Sequence, residues 1–180
     1  MSRYDEGSSL TIGVALTVPE PWGTQLQERR ASYGDPLAWT IPTHITLLPP
    51  TQVQRARKSS VDDHLTVVGS VTKAFDVLLR GTDTFRPVTQ TSFVVVEEGG
   101  ERCTALAEAV RTGPLRRKLP FPYHPHVTVA AELADDVHDR AERELKGYEL
   151  LFTVTHLERY ELTEHGVWES VASFSLSRGL

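Results

Sequence analysis

Two short β-branched segments, His44-Ile45-Thr46-Leu47 and His126-Val127-Thr128-Val129, repeat one order of histidine, spacer and threonine within a chain of 180 residues. In a strand, side chains alternate between faces, so positions i and i+2 look the same way and i+1 and i+3 the other. His44 and Thr46 therefore share a face, as do His126 and Thr128. The opposite faces, Ile45 with Leu47 and Val127 with Val129, form an apolar back suited to packing against helices. Taken alone, either histidine is an ordinary strand residue bonded to nearby backbone. The matched pair suggests one site built twice.

The surrounding pattern supports a duplicated frame. Residues 10–18 read as a strand, and Pro21 opens a helical pattern with Trp22, Leu26, Arg29 and Tyr33 on one stripe. Gly34, Pro36 and Pro42 punctuate the loop before the His44 strand, and Pro49 and Pro50 are expected to stop that strand. Val61, Leu65, Val68, Thr72 and Phe75 recur at helical spacing, with Ser60 and Asp63 placed as a capping box. Strands at 76–85 and 91–97 follow, and then a helix after Gly99 and Gly100 whose inner stripe is Cys103, Leu106, Ala107 and Val110, closed by Gly113 and Pro114. Beyond the His126 strand comes a helix from about Asp135 with Val137, Ala141 and Leu145 inward and Gly147 past its end. Two long strands, at 149–162 and 167–176, finish the chain.

The element order of the first part recurs in the second. This predicts an α+β fold: a single domain over 1–180 with two lobes, approximate repeat halves 10–97 and 91–177, and a pseudo-twofold relation between them. Mostly antiparallel sheets would line a central cleft with helices outside, and the two histidine strands would lie side by side facing that cleft.

Composition narrows the function. A net charge of −5 argues against a broad nucleic-acid-coating surface, which depends on neutralising many phosphates, and leaves room for a small anionic ligand in a local pocket. Cys103 is the one cysteine, so neither an intramolecular disulfide nor a cysteine metal cage can form. The opening MSRYDEGSS lacks the basic and apolar pattern of a secretory signal, and no apolar run approaches membrane-spanning length, so a cytoplasmic protein without membrane attachment, and a monomer, is expected.

The two motifs, with IPTHITLLPP, the GTDTFRP segment around Phe85 and FPYHPHVTVA, make the chain resemble the two-histidine (2H) phosphoesterase superfamily, and within it the bacterial 2′-5′ RNA ligase-like and cyclic nucleotide phosphodiesterase branch. The likeness spans nearly the whole chain. It implies a bilobal fold, no cofactor, and metal-independent chemistry at 2′,3′-cyclic phosphates or 2′-5′ phosphodiester linkages, with a small nucleotide or RNA end as substrate. The chain departs from many relatives after the second motif, where Ala130, Ala131 and Glu132 stand in place of a basic residue.

The chemistry gives its own reason for these residue types. Opening a cyclic phosphodiester needs a base for water and an acid for the departing ribose oxygen, and two imidazoles can divide those roles in either direction. His44 and His126 are thus the candidate catalytic residues. The Thr46 and Thr128 hydroxyls are candidate phosphate donors for charge growing on the phosphoryl oxygens. Phe85, Arg86, Arg116, Arg117, Tyr123 and His124 are further candidates for substrate binding, although aromatic residues at such places are more often core and a basic run such as 116–118 is more often a solvated loop. His64 reads as solvated, while His138, His156 and His165 have no partner motif. Two other classes compete: a non-catalytic module for nucleotides or RNA ends, and a cupin-like enzyme holding iron, manganese or zinc on His124, His126 and Glu132.

Overall fold

The computed structural model describes residues 9–178. In chain order its elements are β1 (Ser9–Thr17), α1 (Trp22–Ser32), β2 (His44–Gln54), α2 (Lys58–Val71), β3 (Phe75–Thr84), β4 (Thr91–Glu98), α3 (Gly100–Val110), β5 (His126–Ala131), α4 (Asp135–Leu145), β6 (Glu149–Val154), β7 (His156–Leu162) and β8 (Trp168–Ser175). Single 3₁₀ turns at Arg55–Arg57 and Gly113–Leu115 precede α2 and follow α3.

The alternation of the histidine strands is realised as read: Ile45, Leu47, Val127 and Val129 are fully buried. Two four-stranded sheets result, ordered β2-β1-β7-β8 and β5-β4-β3-β6, with every named pairing antiparallel. Each histidine strand is an edge strand beside the strand that opens its own unit. The helix preceding each histidine strand reaches across, α1 to β5 and α3 to β2, which ties the two sheets together around one apolar core. The architecture is the α+β arrangement expected, with antiparallel sheets and a cleft between them.

The sheets interleave the chain rather than dividing it into consecutive halves. β3 pairs with β4 and β6, whereas β7 crosses back to pair with β1. The long strand expected at 149–162 is therefore two, β6 and β7, separated at Thr155. The cause is a slip of phase: Leu150, Phe152 and Val154 are buried, then Leu157 and Arg159, so the inward face moves from even to odd positions and the chain changes sheets.

Local expectations fail in three further places. Pro49 and Pro50 do not end β2, because between the pairs Ile12↔Thr51 and Val14↔Leu48 they sit as two residues opposite Gly13, a bulge on an edge strand where missing N–H donors are tolerated. Helix α2 begins at Lys58 without a side-chain cap, so Ser60 and Asp63 lie within its first turns. In α1 the buried positions are Gly23 and Leu26, while Trp22 remains exposed. By contrast, α3 buries the expected stripe of Cys103, Leu106, Ala107 and Val110. Helix α2 lies so close to β8 that a Cβ at Gly69 would meet the Ser175 carbonyl oxygen at 2.6 Å.

Candidate active site

The edge strands β2 and β5 bring His44, Thr46, His126 and Thr128 to the wall of one cleft of about 800 Å³. Residues from the loop after α1, the β3–β4 turn and the segment before β5 close its sides, together with Tyr160 and Trp168. The inward faces predicted from alternation thus meet in a shared space.

Both imidazoles are held by the same device. His44 donates Nδ1–H to the Pro42 carbonyl at 2.8 Å, and His126 donates Nδ1–H to the His124 carbonyl at 2.7 Å. A carbonyl oxygen only accepts, so each neutral ring carries its proton on Nδ1 and keeps the Nε2 lone pair for a ligand. Burial pushes the His44 pKa from 6.5 down to about 4, against the pull of the Pro42 carbonyl and with help from the nearby charges of Arg30 and His126. Burial likewise lowers the His126 pKa, partly opposed by its bond to the His124 carbonyl. An aromatic wall explains much of that desolvation: the rings of Phe85 and Phe93 stand 4.9 and 5.2 Å from the His126 ring, the first edge-on at 88°.

The candidates for substrate contact divide. Phe85, Tyr123 and His124 line the cleft. Tyr123 also ties the two histidine segments together, since its hydroxyl donates to the Thr46 carbonyl at 2.7 Å and its ring lies under the Arg111 guanidinium. Arg86, Arg116 and Arg117 do not line the cleft. Arg86 turns to α4 instead, with ion pairs to Asp135, Asp139 and Glu142 at 3.2, 2.8 and 2.9 Å. Arg117 donates to the Pro50 carbonyl and the Thr51 hydroxyl, and Arg116 is exposed. Partners far away in sequence, acidic for Arg86 and carbonyl and hydroxyl for Arg117, hold these two side chains away from the cleft lining.

Sequence reading missed Arg30, which lines the cleft beside His44 and Thr128 from the last turn of α1. Its Nε donates to Asp35 Oδ2 at 2.6 Å, and Asp35 is itself buried. The signal was the pair Arg29-Arg30, of which Arg29 was placed on the inner stripe; the helix is turned so that Arg29 faces Glu144 and Arg30 faces the cleft. His64 is also not simply solvated, since its Nε2 bonds the Val110 carbonyl at 3.0 Å and joins α2 to α3.

A second histidine cluster lies behind the site. Ser92 donates to Glu142 Oε1 at 2.5 Å and accepts from His138 Nδ1 at 2.8 Å, and both Ser92 and His138 are fully buried between β4 and α4. Sealed from the cleft, this cluster anchors the helix that holds Arg86. Among the described residues, no three His, Cys, Asp or Glu side chains converge as a metal cage. His124 and His126 themselves stand 6.4 Å apart, ring to ring, with Phe85 packed against both.

Comparison with known proteins places this geometry in context. Residues 18–166 match the family model of the 2′-5′ RNA ligase superfamily. The chain is 26% identical over 171 residues to a candidate phosphoesterase of Halalkalibacterium halodurans, spanning 94% of this chain and 99% of that protein. It is 30% identical over 149 residues to a candidate phosphoesterase of Bacillus cereus strain B4264, spanning 81% of this chain and 85% of that one. Among solved structures, Escherichia coli LigT in its apo form superposes with a TM-score of 0.71 at 15% identity, over 95% of this chain and 99% of LigT. LigT complexed with 3′-AMP gives 0.67 at 14% identity, over 93% and 98%. At such identities the structural likeness is one of fold.

Proposed function

This chain belongs to the 2′-5′ RNA ligase superfamily, and from that membership and the geometry of the cleft we propose that it is a phosphoesterase acting on 2′,3′-cyclic phosphates or 2′-5′ phosphodiester linkages of small nucleotides or RNA ends. The observation that carries the proposal is the matched pair of imidazoles, each with Nδ1 committed to a backbone carbonyl and Nε2 left for the substrate, in one cleft. The curated relatives described as candidate phosphoesterases support phosphoester chemistry, and the complexes of LigT with 3′-AMP and NADP+ support a small nucleotide as the ligand.

In the proposed reaction, one neutral Nε2 removes a proton from water as its oxygen attacks phosphorus. The bond from phosphorus to a ribose oxygen breaks, and the second histidine, protonated at Nε2, delivers its proton to that oxygen. The products are a phosphomonoester and a free hydroxyl, and the two histidines have exchanged protonation states. With a 5′-hydroxyl in place of water, the same steps form a phosphodiester; run backwards, that step has the freed ribose hydroxyl attack phosphorus, expel the 5′-hydroxyl and re-form the cyclic phosphate, with the two histidines exchanging roles. Thr46 and Thr128 hydroxyls and Arg30 are the groups proposed to receive the charge that develops on the phosphoryl oxygens. Two imidazoles moving protons supply this chemistry without a Lewis acid.

Turnover of 2′,3′-cyclic AMP and of a 2′-5′ dinucleotide, each assayed in EDTA and with added divalent ions, tests the proposal. Activity that persists in EDTA supports it. Activity abolished by chelation and restored by a metal contradicts it, and a protein that binds these ligands while converting none of them is a binding module.

A further inference from the structure

The charge lining the cleft is sparse for a site that takes phosphate. Among the described residues that line it, Arg30 supplies the cationic side chain, and that guanidinium is already paired with buried Asp35. His44 is kept neutral by its burial, and the arginines near the cleft in sequence are turned to other partners. The same lining includes a carboxylate, Glu132. Glu132 follows β5 directly, with its backbone in the left-handed region at φ 52° and its N–H donated to the Gln90 carbonyl at 2.8 Å, which fixes where its side chain starts. The rim is apolar: Leu37, Val88 and Phe121 line the cleft yet are 53%, 70% and 57% exposed, and they come from three separate segments. Exposed apolar side chains gathered at one mouth mark a surface that receives a ligand.

We propose that this cleft selects phosphodiesters carrying a single negative charge and an apolar or aromatic substituent, and that Glu132 is the specificity residue that turns away substrates with additional phosphates. The inference rests on the phosphoesterase reading of the same cleft. One guanidinium paired with Asp35, with the one imidazolium that the proposed reaction requires, matches one phosphodiester charge and leaves no cation for a second phosphate. Each further phosphate on the ligand meets the Glu132 carboxylate without a cation of its own, and because Glu132 is exposed that repulsion is open to screening by salt. The apolar rim favours the nucleobase end of a mononucleotide over the polyanionic backbone of a longer strand.

Binding and turnover separate this inference from the catalytic reading. Calorimetry compares adenosine 2′-monophosphate with adenosine 2′,5′-bisphosphate on the wild type and on Glu132→Gln, and turnover is followed with 2′,3′-cyclic AMP and its 5′-phosphorylated form. The wild type should bind the monophosphate about tenfold more tightly, the preference should shrink several-fold in Glu132→Gln, and salt should narrow it in the wild type. The two cyclic substrates should show the same order in kcat/KM. Equal or tighter binding of the bisphosphate by the wild type, or a preference unchanged in Glu132→Gln, overturns the inference whatever the turnover. A retained binding preference with no turnover of either cyclic substrate overturns the catalytic reading and leaves the charge selection standing.

Discussion

His44 donates its Nδ1–H to the carbonyl of Pro42, two residues earlier, at 2.8 Å. The second motif repeats the relationship between His126 and His124 at 2.7 Å. Because the acceptor in each case is the carbonyl two residues back, just before the strand begins, the backbone entering the strand sets the tautomer, and the ring needs no carboxylate to orient it. This is an economical way to present two Nε2 atoms to one substrate from two rigid edges.

The histidine pKa values predict an acidic optimum. The proposed base is competent above its own pKa and the proposed acid below its own, and burial has moved both below the ordinary 6.5, His44 to about 4. The bell of kcat/KM, which reports the free protein, should therefore peak below about pH 6.5 and fall through neutrality. A bound phosphodiester anion stabilises the imidazolium, so the kcat bell should lie at higher pH than the kcat/KM bell. Rate profiles on 2′,3′-cyclic AMP check this, and a kcat/KM maximum above pH 7 contradicts it.

The same shift predicts a loss of stability in acid. An unfolded His44 takes up a proton as pH falls through 6.5, while the folded one resists until about 4, so the unfolded state binds more protons across that window. Stability contributed by the neutral ring is complete above pH 6.5 and declines as pH falls toward 4, with a ceiling of about 1.4 kcal/mol per pH unit for one proton. Urea unfolding at several pH values should show a shallower decline for His44→Gln than for the wild type. Identical slopes for the two proteins count against a buried neutral imidazole.

Arg86 and Arg30 should separate cleanly. Arg86→Ala removes the partner of Asp135, Asp139 and Glu142 and should lower Tm by about 2–4 °C, while kcat/KM on the cyclic phosphate stays within about twofold. Arg30→Ala, in the cleft, should lower kcat/KM by at least about tenfold. Thermal melts and steady-state kinetics on the two variants test the assignment, and a larger kinetic loss for Arg86→Ala than for Arg30→Ala reverses it.

What could be read from the sequence was set by local periodicity. The period of two around His44 and His126 and the helical stripe of α3 are local, and the fold follows both. Pro49 and Pro50 were misread because their tolerance depends on β2 being an edge strand, which only the sheet order reveals. The change of sheet at Thr155 left a trace, the slip of buried positions from even to odd, that a reading by composition alone passes over. Arg30 was missed for want of about one residue of helix phase. The commitment of Arg86 to α4 was hidden because its partners lie 49 to 56 residues away.

His44 and His126 are proposed to act as one acid and base pair. The measurement that tests it most directly is kcat on the best cyclic phosphate substrate for the wild type, His44→Ala, His126→Ala and the double variant, all confirmed folded by circular dichroism. Each single variant should lose about 10²- to 10⁴-fold in kcat, and the double variant should lose far less than the product of the singles, since the two groups serve one proton-transfer path. Folded single variants that turn over the substrate at the wild-type rate would contradict the account.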